Sequence, residues 1–96
     1  VHQLTRAVAV EAAPHGIRVN ALCPAAIPFT GFMAAGGVTL PDDQLASVAE
    51  SVGATHPLGK PIMAEDCAEV AVFLASDRAA NLTGVVLPVD GGYVAR

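Results

Sequence analysis

The fold of this chain is decided by residues 14–23, which read PHGIRVNALC. Pro14 and Gly16 end a preceding helix, because the residue before a proline is pushed out of the α region and glycine accepts a positive φ. The stretch from Ile17 to Cys23 that follows is apolar at every second position, and its other face is partly apolar too. A helix, a tight turn and a largely apolar strand are typical of half of a parallel crossover buried on both sides.

The preceding helix is predicted from Val1 to about Ala13, where apolar residues recur at three- and four-residue spacing. No capping residue precedes it, so we expect the chain to begin inside an element. After the strand, residues 25–60 contain no second strand. Pro41-Asp42-Asp43 begins a short helix that continues to about Val52, with acidic residues at its positive end.

The last third of the sequence predicts one more helix and one more strand. The clearest helix runs from Glu65 to about Ala75 and is apolar almost all round, so it should be covered on two sides. Thr83 to Val89 is predicted to be a strand, and Pro88, which cannot donate to a ladder, places it at a sheet edge. Asp90-Gly91-Gly92 then turns the chain sharply.

The composition fits either a chain that associates extensively with itself or one piece of something larger. Hydrophobic residues make up 53% of its 96 residues and charged residues only 15%, an apolar balance for so small a domain. Two strands do not form a stable open sheet by themselves. We therefore expect the chain to be one piece of a larger single domain, with the residues that cover its apolar surface lying elsewhere.

Several functional classes are disfavoured. The net charge of −4 and five scattered basic residues provide no basic patch for nucleic acid. No apolar run approaches the ~18 residues of a membrane span. Cys23 and Cys67 lack metal-ligand spacing, which predicts buried, reduced thiols and a cytoplasmic location. His2, His15 and His56 lie far apart in sequence and are predicted to be surface or turn residues.

The order of short motifs resembles the short-chain dehydrogenase/reductase family over the whole chain except residues 31–56. Leu4-Thr5-Arg6, Glu11 and residues 14–20 are similar to the stretch directly after the family's Tyr-x-x-x-Lys motif. Further matches follow in the family's order and spacing: Pro57-Leu58-Gly59-Lys60, Glu65-Asp66, Phe73-Leu74-Ala75-Ser76, Thr83-Gly84 and Val89-Asp90-Gly91-Gly92.

The resemblance implies an α/β fold, with residues 1–96 forming the C-terminal part of a Rossmann-like doubly wound parallel sheet. This part would comprise a helix, a strand, a substrate-lid loop over about 25–60 with a short helix, a further helix and an edge strand. The family's glycine-rich loop, catalytic Ser and Tyr/Lys pair precede this region, and the sequence has only one Tyr, Tyr93, and one Lys, Lys60. No catalytic residue is therefore assigned to this chain.

One family segment contacts the nicotinamide end of the cofactor, and it is similar to the residues after the first strand. The resemblance implies that Pro24, Ala25, Ile27, Phe29 and Thr30 bind NAD or NADP. Two departures stand out. Ala25 replaces a glycine, which puts a methyl where backbone approaches ligand. Phe29 occupies the family's Thr position, so either Thr30 substitutes through a local shift or the hydroxyl contact is missing.

The expected activity is hydride transfer between a nicotinamide cofactor and a small carbonyl or alcohol substrate. Phe32 and Met33 in the lid loop are the implied substrate contacts and suggest some apolar bulk in the substrate. Family members use the equivalents of the first helix, the last helix and the edge strand as oligomer contacts, which implies a homodimer or homotetramer. The rival hypothesis is a non-catalytic, truncated chain that serves only as an association module.

Overall fold

The computed structural model describes residues 1–28, 31, 35–37 and 39–96. The helices and strands, in chain order, are α1 (His2–Ala12), β1 (Ala21–Pro24), α2 (Asp42–Ala54), α3 (Ala64–Ala75) and β2 (Val86–Val89). Short 3₁₀ turns follow α1, α3 and β2, at Ala13–His15, Asp77–Ala79 and Tyr93–Ala95. This order confirms the predicted α/β arrangement.

The two strands pair in parallel, from Ala21 opposite Val86 to Pro24 opposite Val89. The Ala25 N–H donates to the Val89 carbonyl at 3.1 Å, just beyond the last residue of β1. Parallel ladders alternate, so a residue next to Val89 directs its backbone N–H away from β1. Pro88 occupies that outward position, where its missing donor costs no ladder bond. The position of β2 at the edge of a larger sheet stays a prediction, because the described sheet contains only these two strands.

Both strands are shorter than the sequence predicted. Residues 17–20 and 83–85 run beside each other without forming a regular ladder. The Val19 N–H donates to the Thr83 hydroxyl at 3.1 Å, where a ladder would use a backbone carbonyl. Gly84 has a φ of +73°, which turns the backbone away from strand geometry. The apolar alternation of Ile17–Cys23 therefore extends beyond the part that pairs with β2.

The helix ends follow the local chemistry that the sequence predicted, except that Ala13, before Pro14, keeps the α conformation with φ −54° and ψ −41°. Gly16 closes the turn after α1 with a φ of +70°, a conformation that glycine adopts without steric cost. α3 begins with the Met63 N–H donating to the Asp66 carboxylate at 2.8 Å. That bond satisfies one of the backbone donors that a helix start leaves unpaired. α2 extends two residues beyond the predicted end at Val52.

The buried hydrophobic residues of the described part are few and mostly small: Ala9, Ala49, Ile62, Leu74 and Ala79. Large apolar side chains are instead exposed on α1 and α3, including Leu4 at 66% and Val72 at 68%. The radius of gyration of 16.0 Å exceeds the ~13 Å expected of a compact domain of this length. α3 is therefore covered on one side within this chain, and its apolar remainder faces outward.

No helix among the described residues has the length and apolar character needed to cross a membrane.

Asn20 fixes the chain that leads into β2. Its amide N–H donates to the Leu82 carbonyl at 2.9 Å, and its side-chain oxygen accepts the Val85 N–H at 3.0 Å. We expect Asn20→Ala to lower the free energy of unfolding by about 1–2 kcal/mol, because it leaves the Val85 N–H unpaired and the Leu82 carbonyl with only the longer bond from Arg18. Urea unfolding of the full-length protein measures this. Asn81→Ala, at an exposed turn, is the control, and equal unfolding midpoints for the two variants would contradict the assigned role.

Candidate functional site

The carboxyl ends of β1 and β2 form one side of a cavity of about 650 Å³. β1 and its exit contribute Cys23, Pro24, Ala25 and Ala26, while Val86 and Pro88 of β2 lie beside them. Parallel α/β sheets place their ligands beyond the carboxyl ends of the strands, where loops and helix ends converge. The cavity lies at the position in the fold where a ligand is expected.

The remaining walls come from the first turn of α1, the end of α2 and the C-terminal tail. They are lined by His2, Ser51, Val52, Thr55, His56, Asp90, Tyr93 and Val94. The volume falls within the ~300–1,000 Å³ of small-molecule sites, and mixed apolar walls with a few polar groups are typical of them. The described lining includes no Lys or Arg. Such walls suit the flat face of a ring-shaped small molecule.

Pro24 and Ala25, two of the predicted cofactor residues, line this cavity. The backbone N–H of Ala25 already donates to Val89, so the methyl group, and not the amide, is what Ala25 offers to a ligand. Ile27 is half-buried and lies outside the cavity lining. The other four predicted contacts, Phe29, Thr30, Phe32 and Met33, lie outside the described residues.

His56 joins the end of α2 to the C-terminal tail. It is buried, 4% exposed, and its Nδ1 lies 2.8 Å from the Lys60 carbonyl oxygen. A carbonyl only accepts, so Nδ1 carries the proton in this contact. The His56 ring meets the Tyr93 ring edge-on, with centroids 6.3 Å apart. His56 lies in the turn after α2, one of the two predicted settings, and the tail covers its ring.

The tail is held in place by the turn that the sequence predicted at Asp90-Gly91-Gly92. The two Asp90 carboxylate oxygens accept the N–H groups of Gly92 and Val94, each at 3.0 Å. Arg96 lies 4.0 Å above the Tyr93 ring and donates to the Thr55 carbonyl at 3.1 Å. These contacts keep Tyr93 and Val94 against the cavity, so the turn carries the tail toward the candidate site.

The two cysteines differ in their surroundings. Both are free thiols and only half-buried, which corrects the prediction of buried thiols. Burial raises the pKa of the Cys67 thiol on α3, and the neighbouring Asp66 carboxylate raises it further. Cys23 instead has its Sγ atom 3.1 Å from Nε2 of His2, at the edge of the cavity. Sequence reasoning missed this pair because the two residues are 21 positions apart and meet only when α1 packs on β1.

Within the part of the chain that the structure describes, no three His, Cys, Asp or Glu side chains come close enough to hold a metal ion.

Comparison with known proteins gives the family. The sequence profile described as enoyl-(acyl carrier protein) reductase, a short-chain dehydrogenase profile, matches residues 1–94. The chain belongs to the short-chain dehydrogenase/reductase family. This membership confirms the resemblance carried by the ordered motifs, and it agrees with the Rossmann-like α/β fold expected from them.

Two curated relatives are dehydrogenases. The chain is 39% identical to 2-(S)-hydroxypropyl-CoM dehydrogenase 3 of Xanthobacter autotrophicus, over 96% of this chain and 35% of the relative. It is 42% identical to galactitol 2-dehydrogenase (L-tagatose-forming) of Cereibacter sphaeroides, over 97% of this chain and 34% of the relative. The chain thus spans about a third of the length of these relatives.

A solved structure shows a similar fold with a nicotinamide cofactor. ElxO with NADP bound superposes with a TM-score of 0.73 at 31% sequence identity, covering 99% of this chain and 36% of that one.

Proposed function

We propose that the protein containing this sequence is an NAD(P)-dependent oxidoreductase acting on a small carbonyl or alcohol substrate. The observation that carries the proposal is the cavity at the carboxyl ends of β1 and β2, in a chain of the short-chain dehydrogenase/reductase family. The dehydrogenase relatives and the NADP-bound structure support a nicotinamide cofactor in general, and NAD and NADP both remain candidates.

The cofactor, when bound, supplies or accepts the hydride. Pro24 and Ala25 would shape the wall against the nicotinamide ring, and Ile27 would meet the carboxamide through its backbone. We propose Phe29 and Thr30 as further cofactor contacts, and Phe32 and Met33 as substrate contacts from the lid loop. Without a Tyr-x-x-x-Lys motif, residues 1–96 alone are expected to be inactive.

We further propose a cytoplasmic protein that assembles as a homodimer or homotetramer. The exposed apolar side chains of α1 and α3 support the assembly, because patches of this kind on soluble proteins are commonly covered by another subunit or another part of the chain. Light scattering of the purified full-length protein tests it, and a monomer at micromolar concentration would contradict it.

The cofactor proposal predicts a large effect of adding bulk at Ala25. In the full-length protein, Ala25→Val should weaken NADH or NADPH binding by at least about tenfold, because two added methyl groups would stand in the wall that faces the ring. Titration followed by nicotinamide fluorescence measures the affinity. Ala80→Val, at an exposed turn after α3, is the matched control.

Two outcomes of this titration would contradict the proposal. Absence of NADH and NADPH binding to the unmodified full-length protein would favour the rival hypothesis of a non-catalytic association module. Equal affinities for the Ala25 and Ala80 variants would remove Ala25 from the cofactor wall. A panel of secondary alcohols and ketones, assayed at the nicotinamide absorbance band, then tests the substrate class.

A further inference from the structure

Cys23 and His2 form a pair whose chemistry the hydride-transfer proposal does not use. Sγ of Cys23 and Nε2 of His2 are 3.1 Å apart, within hydrogen-bonding distance. Cys23 is the next-to-last residue of β1, and His2 begins α1, so the two groups come from different elements. Within residues 1–96 the thiol is half-buried and the imidazole is exposed.

The pair faces a volume that a ligand can enter. Both side chains line the cavity of about 650 Å³, together with apolar residues such as Val52 and Pro88. A nucleophile paired with a base at hydrogen-bonding distance is the arrangement that activates cysteine in covalent chemistry. Among the cavity residues, this is the pair that combines a nucleophilic atom with a proton acceptor.

We propose that Cys23, assisted by His2, is a covalent modification site for soft electrophiles that enter this cavity, in particular α,β-unsaturated carbonyl compounds. His2 Nε2 takes the thiol proton as Sγ attacks the β-carbon. An S–C bond forms and the C=C π pair moves toward the carbonyl as an enolate. The imidazolium or a water then protonates the α-carbon. The net reaction is an addition, with no change of oxidation state and no leaving group.

The other charged or titratable groups of the described cavity lining are engaged in contacts of their own, so His2 is the group that accepts the thiol proton. They are His56, Asp90 and Tyr93. His56 directs Nδ1 at the Lys60 carbonyl, and both Asp90 oxygens accept backbone N–H groups. Tyr93 packs between His56 and Arg96. The lining residues from α2 and β2 are not titratable.

Cys67 is a built-in control for thiol reactivity. It lies on α3, outside the cavity lining, and its pKa is raised by burial and by Asp66. A protonated thiol without a neighbouring base reacts slowly with electrophiles, since the thiolate is the nucleophile. Cys23 and Cys67 therefore differ in whether a base lies beside the thiol, which is the feature that the experiment tests.

The experiment is alkylation of the full-length protein by N-ethylmaleimide, without nicotinamide, followed by mass spectrometry. Cleavage at Glu50 and Glu65 separates the peptides that carry Cys23 and Cys67. At about pH 7, Cys23 should react at least about tenfold faster than Cys67, and His2→Gln should slow Cys23 by about tenfold without affecting Cys67. At about pH 9.5, where hydroxide removes the thiol proton, the His2→Gln effect should disappear.

Three results would overturn the proposal. The first is equal alkylation rates for the two cysteines. The second is an unchanged Cys23 alkylation rate in His2→Gln at neutral pH. The third is a decrease of the Cys23 alkylation rate in that variant that is equally large at both pH values. The last result would show that His2 only supports the local structure. Gln3→Ala, next to His2 on an exposed position of α1, controls for changes in that helix. Because no nicotinamide is present, failure of the oxidoreductase proposal leaves this test intact.

Discussion

Replacing Arg18 with methionine should lower the free energy of unfolding by about 3 kcal/mol. The guanidinium donates to three backbone carbonyls: Leu74 at 2.7 Å, Ser76 at 3.1 Å and Leu82 at 3.3 Å. Leu74 lies in the last turn of α3, where carbonyls have no partner within the helix. Charge-assisted hydrogen bonds of this kind contribute more than neutral ones, and methionine keeps the apolar stem while removing all of them.

The destabilisation by Arg18→Met should extend beyond the local hydrogen bonds, because Arg18 connects three parts of the fold. It lies just before β1, and its partners are the end of α3 and the turn that leads to β2. The segment that brings β2 beside β1 would therefore lose one of its side-chain anchors, and those of Asn20 and the Thr83 hydroxyl would remain. Arg18→Lys should recover only part of the stability, since an ammonium group cannot span carbonyls in the fork geometry of a guanidinium.

Urea unfolding of the full-length protein measures these effects. The matched control is Arg6→Met, because Arg6 makes only an exposed hydrogen bond to Gln3 on the same helix. Exposed pairs contribute little, so this control should leave the unfolding midpoint nearly unchanged. A midpoint for Arg18→Met equal to that of the control would show that water replaces the guanidinium without cost.

Local sequence signals predicted the elements well where one residue type determines the backbone. Gly16 ends the α1 region in a left-handed conformation, as its position after Pro14 indicated. The acidic pair after Pro41 marks the start of α2, and Asp66 marks that of α3. Each of these signals acts within four residues, so it can be read without knowing the rest of the fold.

The strand lengths could not be predicted from the same signals. Alternating apolar residues in Ile17–Cys23 report which side chains face inward, and they do not specify which backbone groups find partners. Here Arg18 and Asn20, both in the polar register of that stretch, use their side chains to bind the turn before β2. Over the first half of the predicted strand, side-chain bonds thus stand beside a single backbone bond, from the Gly84 N–H to the Val19 carbonyl at 2.7 Å.

The residues of the candidate site also fall into two groups, those that local sequence predicted and those that only tertiary packing brings into place. Pro24 and Ala25 were assigned by resemblance to a continuous family segment, and they lie in the cavity wall. His2, His56 and Tyr93 carry no local motif, and they join the wall only through packing of α1 and docking of the tail. Contacts between residues far apart in sequence are set by tertiary structure. Sequence spacing therefore could not predict the Cys23–His2 pair.

The second large effect is expected at Gly53, in the last turn of α2. A Cβ atom at this position would lie 2.7 Å from the backbone nitrogen of Pro61 and 2.8 Å from the carbonyl carbon of Lys60. Both contacts are to backbone, so no side-chain rotation relieves them. Glycine allows the segment at Lys60 and Pro61 to cross α2 closely, and the Lys60 carbonyl is the partner of His56.

Two terms of opposite sign act in Gly53→Ala, and the clash should dominate. Alanine favours a helix interior over glycine by about 1 kcal/mol. Overpacking against immobile backbone costs about 1–3 kcal/mol or more, and here it would also separate Lys60 from His56. We expect a net loss of about 2 kcal/mol in the free energy of unfolding. Because His56 lines the cavity, nicotinamide affinity should fall as well, by about tenfold.

Thermal unfolding and NAD(P)H titration of the same full-length variant test both parts of this prediction. Ser47→Ala, at an exposed position of the same helix and outside the cavity lining, is the control. Increased stability of Gly53→Ala would mean that helix propensity outweighs the clash, so that the crossing at Pro61 is looser than the structure shows. Reduced stability with unchanged affinity would instead place His56 outside the functional wall and leave the crossing with a purely structural role.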